Sequence, residues 1–357
     1  MLAHALPALI TAAVASFLVT ALVAVWGPVD RPDRRRNHQA PTPTSAGLGI
    51  ILGTCLGLAV LGLAVPGLTL LLALAAGTGL FGALDDVLDL GPRIKLALQV
   101  LFALAFAVFG AHIDSLPLAP GLSLNLGPIL GVLGTALWIV VVVNAFNFID
   151  GSNGLSPGAA IIVLLGQAGL GLGLGLGLGH SQPGLGLAAL ICAAAGLGFL
   201  PWNLPGGRVF QGDAGALFSG FMVAGLAVLA STGPAQPGLS PYPVVMACLP
   251  LLTDVLLTLL KRQRAGKVLW QAHRDHVFQR WLLAHPGHGA LALRFWGLTG
   301  AYSLAGLAAE RAPSGWQAGL LSLGVISAIG LWAWLDRRLS PGPSSSQTAD
   351  GEIGQGL

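Results

Sequence analysis

Acidic and amide side chains recur at the ends of apolar runs in this chain, at spacings that suit phosphate and metal chemistry. Asp85 and Asp86 end one such run, Asp89 lies one turn beyond Asp85, and Lys95 opens the next run. Two acids at a helix C-terminus oppose the macrodipole and cost stability unless a cation balances them. Asn144, Asn147 and Asp150 follow one helical face at intervals of three before Gly151 and Gly154 turn the chain. Asp213 stands just ahead of another apolar run, where a helix N-terminus favours both the carboxylate and a phosphate docked beside it. His273 and His276 flank Arg274 at i, i+3, a compact cationic or hydrogen-bonding cluster suited to phosphate. Zinc is a poor reading of that pair, because no cysteine or third ligand accompanies it. Taken singly, each group also reads as something plainer: a solvated face, a helix cap at Asp213, or an anionic-lipid patch at Arg34, Arg35 and Arg36. Taken together they describe a site that handles a metal and phosphates.

The elements that must position these groups are membrane-spanning helices. Of 357 residues, 54% are apolar and only 9% charged, with a mean hydropathy of +0.79. A soluble domain carries roughly a quarter charged residues, so a water-soluble globule is excluded. Disorder is excluded too, since it needs low hydrophobicity and high charge. Apolar runs long enough to cross a ~30 Å hydrocarbon core number about eleven: 5–26, 46–65, 67–84, 95–111, 128–148, 155–178, 184–202, 214–231, 242–260, 291–309 and 315–335. The fold class expected is therefore all-α and polytopic, a transmembrane domain over 1–335 with a disordered cytoplasmic tail over 336–357. The first run lacks a basic n-region and is kept as a span, with the N-terminus outside. The Leu-Gly alternation near 170–179 has a strand period, but a lone strand cannot satisfy its backbone in lipid, so a glycine-rich helix is expected. Cys55, Cys192 and Cys248 sit inside apolar runs and indicate neither disulfides nor a metal cluster.

With alternating topology, sixteen of the 17 lysines and arginines fall on one face, and only Arg311 on the other. The positive-inside rule makes that face cytoplasmic. It does not ask for carboxylates, yet Asp85, Asp86, Asp150 and Asp213 gather on the same face. Pro41-Thr42-Pro43-Thr44 would stiffen the first loop and hold His38 over such a site. Asp254 lies inside a span, where an acid is a functional candidate or pairs with a neighbouring helix.

These loops resemble a known family. The runs D-R-P…H…P-T-P, L-D-D-V-L-D-L…K-L…Q, N-A-F-N-F-I-D-G-S-N-G-L, N-L-P…F-Q-G-D-A-G and A-H-R-D-H, in this order, resemble the polyprenyl-phosphate N-acetylhexosamine-1-phosphate transferases. The resemblance implies transfer of a sugar phosphate from UDP-N-acetylhexosamine to a polyprenyl phosphate such as undecaprenyl phosphate, with release of UMP. Magnesium, or manganese in its place, is the cofactor it implies. It also implies roles: Asp85 and Asp86 as the catalytic pair, Asp213 with Asn147 at the metal, and Lys95, His273, Arg274 and His276 at phosphates. Asp150, Asn153 and Phe210 are implied at the nucleotide, Phe210 by stacking. The expected location is the cell membrane, with the active site facing the cytoplasm. No nucleic-acid partner is implied, and a homodimer is compatible with everything in the sequence.

Asn153 and Gln211 depart from residues common in the family, aspartate at the first and an aromatic or methionine at the second. Phospho-N-acetylmuramoyl-pentapeptide transferases carry a histidine cluster in the last cytoplasmic loop, whereas A-H-R-D-H-V-F-Q resembles the branch that starts O-antigen, capsule or related glycans. The peptidoglycan enzyme is thus the alternative. A multispan transporter is a third reading, disfavoured because the polar groups sit at helix ends rather than near the midplane.

Overall fold

The computed structural model describes residues 2–30, 41–174, 181–232, 238–269, 273–313 and 316–340. His38, Arg34, Arg35, Arg36 and the tail beyond Ser340 lie outside them. The helices are α1 (Leu2–Trp26), α2 (Gly47–Leu61), α3 (Leu68–Leu88), α4 (Pro92–Phe109), α5 (Gly127–Phe148) and α6 (Leu155–Leu172). They continue as α7 (Pro183–Asn203), α8 (Gly212–Thr232), α9 (Tyr242–Arg264), α10 (Val277–Ala284), α11 (His288–Glu310) and α12 (Trp316–Arg338). The protein is an all-α, multi-pass membrane protein. Each expected span coincides with a helix, and α10 is an additional short one inside the last loop.

Among the described residues, nine helices are long and apolar enough to cross a membrane. α2 and α11 are the two expected spans outside that set. At 15 residues α2 is about 22 Å long, short of the ~30 Å core. α11 is long enough, but its apolar face is broken by Arg294 and it ends in Glu310. The helix expected over 155–178 stops at Leu172, because Gly173 takes a left-handed φ of 66° and caps it. Residues 175–180 of the Leu-Gly tract lie outside the described residues. The expected tail boundary also moves: α12 continues through Asp336 to Arg338.

The bundle is organised around α8, which is buried along nearly its whole length. A helix apolar on every side belongs in the middle of a bundle. α3, α5, α6, α2 and α7 surround it, while α9, α11 and α12 form an outer group. Lipid gives no hydrophobic drive for helix association, so close backbone approach through small residues carries it. Gly49, Gly53 and Gly57 form such a stripe on α2, where an added Cβ would sit 2.5 Å from Thr20 Oγ1, 2.4 Å from the Ala12 carbonyl and 2.7 Å from Ile191, respectively.

Two antiparallel pairs cap the ends. β1 (Val29–Asp30) pairs with β2 (Thr42–Pro43) at the end where the polar loops meet. β3 (Ser115–Ala119) and β4 (Leu122–Asn125) form a hairpin at the opposite end, held by the Tyr242 hydroxyl donating to the Pro117 carbonyl at 2.6 Å.

Candidate active site

α3, α5 and α7 end, and α4, α8 and α11 begin, around one cavity of about 1030 Å³. Its floor is acidic. Asp85 and Asp86 come from the last turn of α3, which Asp89 terminates in a left-handed conformation at φ 49°. Pro92 starts α4 one short turn later and brings Lys95 back over the pair. The Lys95 ammonium lies 2.5 Å from Asp85 Oδ2 and also bonds Asp213 Oδ2. Asp86 turns the other way. It accepts the backbone N–H of Asp213 at 3.1 Å and the Ser45 hydroxyl at 2.8 Å. One acid of the pair is thus balanced by an ammonium, and the other by the positive N-terminus of α8, which answers the macrodipole penalty of the paired acids.

Backbone contact sets the spacing of these acids. A Cβ on Gly82 of α3 would fall 2.6 Å from the carbonyl carbon of Asp213, and one on Gly212 would fall 2.2 Å from Asp86 Oδ2. Gly212 also takes φ 63° at the turn into α8. On the other side, Asn147 of α5 donates to Asp213 Oδ1 at 2.7 Å.

The opposite wall is the turn from α5 to α6. Asp150 sits at its base, and its carboxylate accepts from Gln211 Nε2 at 2.7 Å. Burial holds the Asp150 carboxyl well above the usual range despite that bond, and the Asp213 and Asp86 charges push the same way. Asn153 lies against Gly207, whose φ of 57° lets the backbone come close. Phe210 lines the same end, fixed by its N–H donating to the Pro43 carbonyl at 2.8 Å and its carbonyl accepting from Ala46 N–H at 3.0 Å.

Eight of the residues singled out in the sequence therefore line one cavity: Asp85, Asp86, Lys95, Asn147, Asp150, Asn153, Phe210 and Asp213. His273, Arg274 and His276 do not line it. The i, i+3 argument assumed a helix, but α10 begins only at Val277, and His276 is extended with φ −61° and ψ 145°. Its ring turns inward, 1% exposed, with neither ring nitrogen hydrogen-bonded, and stacks on His273 and Phe278. Burial, then the neighbouring His276 and Arg262, push His273 down to about 4. Burial lowers His276 as well. Of the expected cationic or hydrogen-bonding cluster, the two histidines are thus kept neutral near pH 7.

Other residues shape the site without having stood out in the sequence. Asn203 accepts the Gly154 N–H at 2.5 Å and donates to the Val209 carbonyl at 2.9 Å, joining two walls. His288 Nδ1 meets Ser152 Oγ at 2.9 Å and the Asn153 N–H at 3.2 Å. Gln99 accepts from Asn144 at 2.6 Å, so Asn144 braces α5 against α4 instead of facing the cavity. The asparagine of N-L-P was a visible signal for Asn203; His288, in a Pro-Gly-His-Gly loop, offered none.

The donor set fits magnesium. Asp85 and Asp213 share the Lys95 ammonium, Asp86 stands beside them on the Asp213 N–H, and Asp85 Oδ1 is buried with no partner. Among the described residues no three acidic, histidine or cysteine side chains enclose one point. Magnesium does not ask for that, since it binds through one or two carboxylates and completes its shell with water and substrate phosphates.

Comparison with known proteins shows the family. Residues 68–231, which carry most of the cavity, match the family described as Glycosyl transferase family 4. The chain is 34% identical over 298 residues to the phospho-N-acetylmuramoyl-pentapeptide-transferase of Deinococcus radiodurans, covering 77% of this chain and 88% of that one. It belongs to glycosyl transferase family 4. Two further family 4 relatives carry a different sugar in their names. The decaprenyl-phosphate N-acetylglucosaminephosphotransferase of Mycobacterium leprae is 29% identical over 317 residues, 80% of this chain and 78% of that one. The undecaprenyl-phosphate alpha-N-acetylglucosaminyl 1-phosphate transferase of Yersinia pestis is 31% identical over 260 residues, 70% of this chain and 68% of that one. The family 4 match ends at residue 231, so α9 to α12 and the last loop lie outside it.

Proposed function

We propose that this chain transfers an N-acetylhexosamine 1-phosphate from a UDP-sugar to a polyprenyl phosphate, giving polyprenyl-diphospho-sugar and UMP. The carrying observation is the Lys95 ammonium held between Asp85 and Asp213 on the floor of a large polar cavity at the ends of the helices. Such a floor can take an anionic lipid headgroup that stays in the membrane plane and a soluble diphosphate from above. The bias of basic residues to that end supports a cytoplasmic active site in the cell membrane, and the reaction would begin a lipid-linked surface glycan.

Lys95 would hold the lipid phosphate. An oxygen of that phosphate attacks the phosphorus bonded to the sugar, the bond to the oxygen bridging the two phosphates breaks, and UMP leaves with that oxygen. Asp85 or Asp86 takes the proton if the lipid phosphate arrives protonated. Direct attack suffices, since the lipid phosphate is already a nucleophile. Asp213 with Asp85 would hold magnesium, and Asn147 keeps Asp213 in place; the ion supplies charge neutralisation for the diphosphate and the departing UMP. Asp150, Asn153 and Phe210 lie at the end suited to uracil, Phe210 offering a ring face for stacking.

The alternative, transfer of phospho-N-acetylmuramoyl-pentapeptide, is favoured by the 34% identity to the Deinococcus radiodurans enzyme. The absence of His273 and His276 from the cavity lining among the described residues weighs against it. The test is UMP release by purified protein given polyprenyl phosphate and either UDP-N-acetylglucosamine or UDP-N-acetylmuramoyl-pentapeptide, with and without EDTA. Turnover with the first substrate, lost in EDTA, is expected. Turnover only with the second selects the alternative, and release that needs neither lipid phosphate nor divalent cation overturns both.

A further inference from the structure

Among the described residues, Asp254 and Glu310 are buried acids that the proposed chemistry does not use, and Asp254 is the one beside the last loop. It lies in α9, 5% exposed, and its partners come from α10, α12 and the next turn of α9 itself. Oδ1 accepts the backbone N–H of Val277 at 2.8 Å, the Trp332 indole N–H of α12 at 3.2 Å and the Thr258 hydroxyl at 3.3 Å. Oδ2 accepts the backbone N–H of Phe278 at 3.4 Å. Val277 and Phe278 are the first two residues of α10, and the residue before them, His276, makes no side-chain cap. The first-turn N–H groups of a helix need an outside acceptor, and a carboxylate there is also favoured by the helix dipole. Asp254 supplies it from inside the neighbouring span.

α10 is also a wall of the cavity. Gln279 lines it, and the Gln279 side-chain oxygen is buried with no partner. A Cβ on Gly151 would lie 3.4 Å from the Phe278 ring and 3.8 Å from Gln279 Nε2, so this turn of α10 packs against the 150–153 turn on the same side of the cavity. Farther along α10, Arg280 bonds Asp336 of α12, which also takes Lys261 of α9 at 2.8 Å. The helix is thus tied to the outer bundle at its start and at its middle, and Asp254 is the tie at its start.

We propose that Asp254 is a positioning residue for sugar-nucleotide binding: its carboxylate caps α10 and so fixes where Gln279 meets the substrate. This rests on the reading of the cavity as the substrate site. Gln279 offers a carboxamide to the hydroxyl and acetamido groups of the sugar, and Asp254 acts only through it.

The experiment uses the full chain in detergent or nanodiscs. Asp254→Ala is expected to raise KM for the UDP-sugar about tenfold, with kcat and KM for the lipid phosphate within about threefold of the wild type, the size of one lost hydrogen bond. Gln279→Ala should do the same, and the double variant should be no worse than either single one, because the two residues act in series. Asp254→Asn keeps an acceptor oxygen of the same shape, and is expected to recover most of the affinity. If Asp254→Ala does not fold, Asp254→Ser takes its place: its hydroxyl is too short to reach the α10 N–H groups, so the same rise in KM is expected. A second readout is independent of turnover: maleimide labelling of a Gln279→Cys reporter should speed up when Asp254→Ala is added and stay near the parent rate when Asp254→Asn is added, against the background of the three native cysteines. Unchanged KM and labelling in a folded Asp254→Ala protein, or effects that multiply in full in the double variant, would overturn the proposal. If the wild type turns over no UDP-sugar, the functional reading fails while the labelling still decides whether Asp254 holds α10.

Discussion

Asn147 and Asp213 reach each other from different helices, α5 and α8, with the asparagine amide donating to the aspartate at 2.7 Å. That bond leaves Asp213 with one oxygen toward Asn147 and one toward Lys95, so its carboxylate cannot turn freely. Asn147→Asp places a second negative charge at the same distance. Turnover is expected to fall by about a hundredfold, and by about tenfold in Asn147→Ala, which removes the donor without adding charge. Steady-state UMP release decides it, and unchanged turnover in Asn147→Asp would show that the bond does not matter.

Asp85→Asn and Asp213→Asn should each abolish turnover while the protein stays monodisperse with a near-native melting temperature. Each keeps side-chain size and loses only charge. Full activity in either variant removes that residue from the chemistry.

Lys95→Gln takes away the only ammonium among three carboxylates, and its melting temperature should drop, since unpairing a partly buried charge costs about 1–3 kcal/mol. Millimolar magnesium should restore more of the lost stability in Lys95→Gln than it adds to the wild type, because the acids then have a cation again. A thermal melt with and without magnesium reads this directly; equal shifts in the two proteins would mean the acids bind no cation.

The last loop should make stability pH-dependent. His273 is pushed down to about 4 in the fold, against about 6.5 in the unfolded chain. Between those values the unfolded state binds more protons, so stability rises with pH. This contribution is complete above pH 6.5 and is lost as pH falls toward 4. Melting at pH 7.5 and 5.5 should show the loss, and His273→Asn should flatten it.

The helical membrane fold was legible because about twenty consecutive apolar residues leave the backbone one solution in lipid. The acidic floor was legible because paired aspartates at a helix end need a reason. Three things were not. Where α6 stops depends on one glycine taking a positive φ within a tract full of glycines. α10 is eight residues in the last loop, too short to announce itself, so the i, i+3 spacing of His273 and His276 did not show that both precede it. Asp254 was visible as an acid in a span, but its partners are main-chain N–H groups of Val277 and Phe278, which no side-chain pattern reveals.

The contact at Gly82 gives the site two mechanical halves. α3 and α8 touch main chain to main chain there, and the three acids ride on that junction as one rigid piece. The facing half, the 150–153 turn and α10, is joined by side chains alone at Asn203, His288 and Asp254. On the function proposed above, the phosphorus chemistry would sit on the inflexible side, and the sugar would be met across the cleft.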